Sequence, residues 1–119
     1  MADEIIKHHP NSSYYPYAIV LNRSSSELAV LQDALARFHD SPAYPHLLIQ
    51  AAVRAEYEGT RAAKRHAAPD EVNSFYSLAL RYGDEALRSG SPTVQSQARI
   101  IVDAARNGKE RFEHGKAPR

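Results

Sequence analysis

From residue 27 onward the apolar positions of this chain recur every three or four residues, the period of an α-helix packed on one side. Leu28, Leu31, Leu35 and Phe38 form the first such stripe and predict a helix of about ten to thirteen residues from Glu27. A second stripe, Leu48, Ala51, Ala52, Ala55, Gly59, Ala62 and Ala63, runs toward His66 and is nearly all small. The third, Val72, Phe75, Ala79, Tyr82 and Ala86, flanked by Tyr76, Leu80 and Leu87, predicts a helix from about Asp70 to Arg88. The fourth, Val94, Ala98, Ile101, Ala105 and Phe112, predicts one from Pro92 to about Phe112. Within it Ile100-Ile101-Val102 is apolar on more than one face, as befits a central helix or a partner surface.

Polar punctuation separates these stripes. Ser24-Ser25-Ser26-Glu27 spells a capping box, a serine with a glutamate three residues later. Ser41-Pro42 and Ser91-Pro92 each set a capping hydroxyl before a proline suited to a first helical turn. Pro45 leaves two starts open for the second helix, at Pro42 or at Pro45 with Ala43-Tyr44 as a turn. At Pro69-Asp70-Glu71 the acidic residues stand where the exposed N–H groups of a helix start favour negative side chains. Gly90 suits a C-terminal cap. The residues after the two Ser-Pro pairs do not match, so they are independent helix starts and not a repeat.

Residues 1–23 break the helical period. Pro10, Asn11, Ser12, Ser13 and Pro16 interrupt regular structure, and Tyr14, Tyr15 and Tyr17 cluster around Pro16. Tyr17 to Leu21 reads as a short extended apolar run and Ile5-Ile6 as another. An arm covering a groove on the helices is the favoured arrangement; the alternative is a small hairpin, marginal in water without support. The expected architecture is therefore an all-α, four-helix antiparallel bundle over residues 24–114. An irregular, partly extended N-terminal arm occupies 1–23 and a frayed tail 115–119. Short connections at Asp40-Ser41 and Ser89-Gly90-Ser91 make consecutive helices antiparallel neighbours.

Composition narrows the chemistry. A length of 119 residues fits one domain. With three Phe, no Trp and one Met, the core must draw on alanine and tyrosine. Net charge is +1, too small for strong generic attraction to phosphate backbones or anionic lipid. The charge is uneven: residues 1–53 hold three Lys/Arg against five Asp/Glu, and residues 54–119 hold twelve against nine. The absence of cysteine excludes disulfides, thiolate catalysis and Cys-ligated metal. Met1 to His9 lacks the apolar stretch of a signal peptide, and no segment approaches the roughly 20 apolar residues of a membrane span. A cytoplasmic protein that does not enter the membrane is expected.

Catalytic patterns are absent. No two of the six histidines have the i,i+3 or i,i+4 spacing that shares a helix face, so neither metal nor cofactor is expected. Asp3-Glu4, Asp70-Glu71 and Asp84-Glu85 are adjacent pairs that point about 100° apart and make poor acid–base dyads. There is no phosphate-binding glycine loop, nucleophile elbow or HExxH motif. A helix-turn-helix register over Tyr82 to Arg99 fails, because Ser91, Ser96 and Arg99 stand where apolar residues belong.

Arg61 and His66 have the Arg-x4-His spacing of the HEPN ribonucleases, and the segment resembles that family of small helical bundles over six residues. The resemblance implies that the pair would activate an RNA 2′-hydroxyl and stabilise the phosphate. Ala62 departs from the polar residue usual after the arginine, and two further helices follow the motif.

The leading expectation is a non-enzymatic interaction module, an adaptor, inhibitor or regulator, acting through protein–protein contacts and self-associating as a homodimer. Its interface candidates are Tyr14, Tyr15 and Tyr17 in the arm, Ala55, Gly59 and Ala62 on the small-residue face, and Ile100 and Val102. The alternative is nucleic-acid binding through Arg61, Lys64, Arg65, His66, Lys109 and Arg111, including the HEPN-like version.

Overall fold

The computed structural model describes residues 27–89 and 91–113, which form four α-helices and no strand. They are α1 (Leu28–Arg37), α2 (Tyr44–Lys64), α3 (Pro69–Leu87) and α4 (Pro92–Glu113). The architecture is the all-α bundle that the apolar period predicts, and no described helix is long and apolar enough to cross a membrane. The arm over 1–23, Gly90 and the tail lie outside the described residues.

The helix starts test the punctuation one by one. At α4 the Ser91 hydroxyl accepts the N–H of Val94 at 3.4 Å, the N-cap arrangement expected of Ser91-Pro92. Pro69 opens α3, with Asp70 and Glu71 in its first turn. At Ser41-Pro42 the expectation changes. The Ser41 hydroxyl accepts the N–H of Ala43 at 3.1 Å and its carbonyl that of Tyr44 at 3.0 Å. The pair therefore makes a tight turn that buries Ala43, and α2 begins after it at Tyr44, with Pro45 inside its first turn. The capping box at Ser24–Glu27 also shifts: Glu27 is itself the N-cap residue, extended at φ −77°, ψ 157°, and makes no side-chain cap bond. Its carbonyl accepts the first helical N–H, from Leu31.

α2 ends in a Schellman motif. The N–H of Ala67 reaches the carbonyl of Ala62 at 2.9 Å and that of His66 the carbonyl of Ala63 at 3.2 Å. The geometry requires a left-handed residue, and His66 supplies it at φ 58°.

The stripes meet as their spacing requires. α2, α3 and α4 pack pairwise, whereas the backbone of α1 comes close to α2 alone. Leu31, Ala34 and Leu35 of α1 share the largest core cluster with Leu47, Leu48, Ala51 and Ala52 of α2, Tyr82 and Ala86 of α3, and Val94, Ala98 and Ile101 of α4. The Gln32 amide also reaches the Tyr82 hydroxyl at 3.4 Å, so α1 lies over the seam between α2 and α3. Tyr44 at the head of α2 donates to Glu85 near the end of α3 at 2.6 Å, and Gly59 near the other end of α2 meets Tyr76 and Phe75. α2 and α3 are therefore antiparallel. Gly83 against Val102 and Gly108 against Tyr76 make α3 and α4 antiparallel too. It follows that α2 and α4 run side by side in the same direction.

Candidate functional site: an open groove between two parallel helices

No described helix covers the seam between α2 and α4. Along its first half the seam opens into a groove of about 400 Å³, walled by Ile49 and Val53 of α2 and Ile100 and Ile101 of α4, with His46 and Gln97 at the rim. No Asp, Glu, Lys or Arg lines it. Among the described residues the exposed large hydrophobic side chains are Val53 at 47%, Tyr57 at 48% and Ile100 at 72%. Val53 and Ile100 face each other across the groove, and Tyr57 stands one turn beyond Val53.

The second half of the seam is polar, a cavity of about 260 Å³ with Glu56 and Thr60 on α2, Asn107 and Arg111 on α4, and Tyr76 of α3 as its floor. Thr60 donates to Glu56 Oε1 at 3.2 Å and lies 3.0 Å from the Tyr76 hydroxyl. A threonine hydroxyl has one proton. With that proton on Glu56, Tyr76 must donate to Thr60, and its own lone pairs are left toward the cavity. The Tyr76 ring is 1% exposed and is held between two glycines. A Cβ on Gly59 would lie 3.1 Å from the ring, and one on Gly108 2.7 Å from Cε1. At Gly108 glycine is required by close approach, not by backbone conformation, whereas at Gly59 the fit is only tight.

The interface candidates divide. Ile100 is the most exposed large apolar residue described. Val102 is 4% exposed and packs toward Gly83 on α3, so the Ile-Ile-Val run has one outward member, not two. Ala55, Gly59 and Ala62 are buried within the chain, where α3 takes the close approach that small residues allow. That stripe is taken up by packing within the chain. Tyr14, Tyr15 and Tyr17 lie outside the described residues.

The basic candidates are brought to one end of the bundle: Phe112 of α4 packs on the cluster containing Ala62 and Ala63 of α2. They are not left as a uniform patch. Arg61 lies 3.6 Å from Glu58, which also holds Arg54 at 3.1 Å, and both guanidinium groups stack on the Tyr57 ring. Arg65 bridges to Glu71 on α3 at 2.8 Å. Lys64 is exposed, Lys109 half-buried, and Arg111 faces the polar cavity. His66 is the left-handed residue that ends α2, and neither it nor Arg61 lines either cavity. Among the described residues no three of His, Asp and Glu converge as metal ligands.

Sequence reasoning missed Ile49, Val53, Tyr57, Tyr76 as a floor, and Gly108. A signal for the first three was present: Ile49 and Val53 repeat at helical spacing about a third of a turn from the small stripe, more apolar surface than one contact needs. Nothing in the spacing marked Gly108, whose role depends on where the ring of another helix falls. Comparison with protein-family models, with curated proteins and with solved structures finds no match for the chain.

Proposed function

We propose that this chain is a small, non-enzymatic helical interaction module, an adaptor, inhibitor or regulator, that receives an apolar helical segment in the groove between α2 and α4. One observation carries the proposal: Val53 and Ile100, two of the three exposed large hydrophobic side chains described, line that single groove. Scattered apolar residues are normal on a protein surface, whereas a concentrated, charge-free apolar strip with a polar rim is the composition of an interface core. A cytoplasmic setting accords with a chain that has no cysteine to oxidise.

The test is a photo-reactive residue placed at Gln97 on the groove rim and, as control, at Arg81 on the exposed side of α3, expressed in the native host. Adducts at position 97 and none at 81 are expected. Equal labelling at both, or none at either, removes the proposal.

A second reading, nucleic-acid binding, is favoured by the meeting of the α2 and α4 ends, which brings Arg61, Lys64, Arg65, Lys109 and Arg111 to one pole. Glu58, Glu71, Glu110 and Glu113 occupy the same pole. Binding of a labelled RNA or DNA fragment that weakens steeply with salt is the expected sign, and no binding at low salt eliminates it. For the HEPN-like version, His66→Gly keeps the left-handed turn while removing the imidazole. Loss of cleavage in that variant would separate chemistry from folding.

A further inference from the structure

We infer that the polar cavity in the second half of the α2/α4 seam binds a small zwitterion, a molecule of the free amino acid class with one ammonium and one carboxylate. The inference is independent of the apolar groove and of what occupies it. At about 260 Å³ the cavity is smaller than the roughly 300–1,000 Å³ that enclose drug-sized ligands, a size that suits a small metabolite.

The two walls of this cavity carry opposite charge. Glu56 stands on α2 and Arg111 on α4, both half-buried, and both line the same space. Among the described residues neither has an ion-pair partner, and they do not pair with each other. Arg61 and Arg65 at the same pole differ in this respect, being held by Glu58 and Glu71. Salt screens partly buried charges less than exposed ones, so Glu56 and Arg111 each keep their attraction for an opposite group.

The floor sets the orientation of the ligand. With the Thr60 proton on Glu56 Oε1, the Tyr76 hydroxyl gives its own proton to Thr60 and turns only lone pairs to the cavity. Gly108 leaves that oxygen open, since a Cβ there would stand 3.0 Å from it. The α2 and α3 side therefore offers acceptors, Glu56 Oε2 and Tyr76 Oη. The α4 side offers donors, the Arg111 guanidinium and the Asn107 amide N–H. An ammonium has three protons and no lone pair, which suits the first side. A carboxylate accepts two parallel bonds from an arginine, which suits the second.

Ligands with a single charge meet only half of this arrangement. A lone carboxylate or phosphate on the floor would face Glu56 and a hydroxyl with no proton to give. A simple amine would bring its positive charge into the same small space as Arg111.

The test is an amide NMR titration of the full chain with each of the proteinogenic L-amino acids, and with propionate and ethylamine, which each carry one of the two charges of alanine. Saturable shifts at Asn107, Gly108 and Arg111 are expected with at least one amino acid and with neither single-charge probe. Glu56→Gln and Arg111→Gln should each weaken that binding about tenfold or more. Ile100→Ser, in the apolar groove, should bind as the wild type does. The inference is overturned by the absence of a saturable shift with every amino acid, by equal binding of propionate or ethylamine, or by unchanged affinity in either charge variant. Loss of binding in Ile100→Ser would place the ligand in the apolar groove and overturn it as well. None of these outcomes bears on photo-adducts at position 97, which test the interaction module separately.

Discussion

The two long faces of α2 invert the usual assignment of size to depth. Toward α3 it presents Ala51, Ala55, Gly59 and Ala62, all buried. Toward the seam with α4 it presents Ile49 and Val53, the latter about half exposed, with Tyr57 one turn on beneath Arg54 and Arg61. Beyond Leu47 and Leu48, which are buried near its start, the bulkier side chains are outside and the smaller ones inside. Small residues let two backbones approach closely, and the contact they gain comes from neighbouring main chain and from one large ring, Tyr76, lowered into the space. Few large side chains are fully buried: Tyr76, Leu31, Leu47, Val72 and Val94. Cohesion in this fold comes from closeness, and the larger apolar side chains of Val53, Tyr57 and Ile100 are left exposed.

Several substitutions would break or sharpen that contrast. Tyr76→Ala should be the most damaging, costing about 3–5 kcal/mol in urea unfolding, because neither glycine beside the ring can fill the cavity. A loss under about 1 kcal/mol would mean that the small face does not depend on that ring. Gly108→Ala comes next. Its new Cβ would meet the ring at 2.7 Å, and overpacking of about 1–3 kcal/mol outweighs the gain of up to about 1 kcal/mol in helix propensity. Gly59→Ala, at 3.1 Å, should come out close to neutral.

Tyr44→Phe should cost about 1 kcal/mol at neutral pH by removing the hydrogen bond to Glu85 that pins the closed face. Burial, reinforced by that carboxylate, pushes the Tyr44 hydroxyl from 10.0 up to about 12. The folded state therefore favours the neutral phenol. Its contribution is complete below pH 10 and is lost as pH rises toward 12, so the variant should show a shallower alkaline decline in an unfolding series across that range. Smallest of all, Val53→Ser and Ile100→Ser should each change monomer stability by no more than about 0.5 kcal/mol. A larger loss in either would place that side chain inside the monomer's own packing.

The helices were legible because their apolar stripes agree with their boundaries: Val94, Ala98, Ile101 and Ala105 are all buried, as their spacing requires. Gly59 was readable as a point of close approach. Its partner Gly108 was not, because periodicity describes one helix at a time and the ring between them belongs to a third. The same limit explains Ile100-Ile101-Val102, where sequence marks surplus apolar surface but only packing decides that Ile100 alone faces out. It also hid the groove, which exists because α1 covers the α2/α3 seam and not the α2/α4 one. His66 shows the opposite failure. Its spacing from Arg61 pointed to chemistry, while its backbone serves a helix end that a glycine would ordinarily occupy.

The parallel course of α2 and α4 has one more consequence. Their peptide dipoles add, so the pole where both helices finish carries two partial negative charges of about half a unit each, against one positive from the start of α3. Arg61, Lys64 and Arg111 stand in those final turns, and Asp70 and Glu71 stand at the start of α3. Each cation there is worth about 0.3–1 kcal/mol to the fold at low salt. The cations of this mixed-charge end thus sit in the field of the backbone's own carbonyl groups, and a polyanion would have to compete with those and with Glu58 and Glu71 for them.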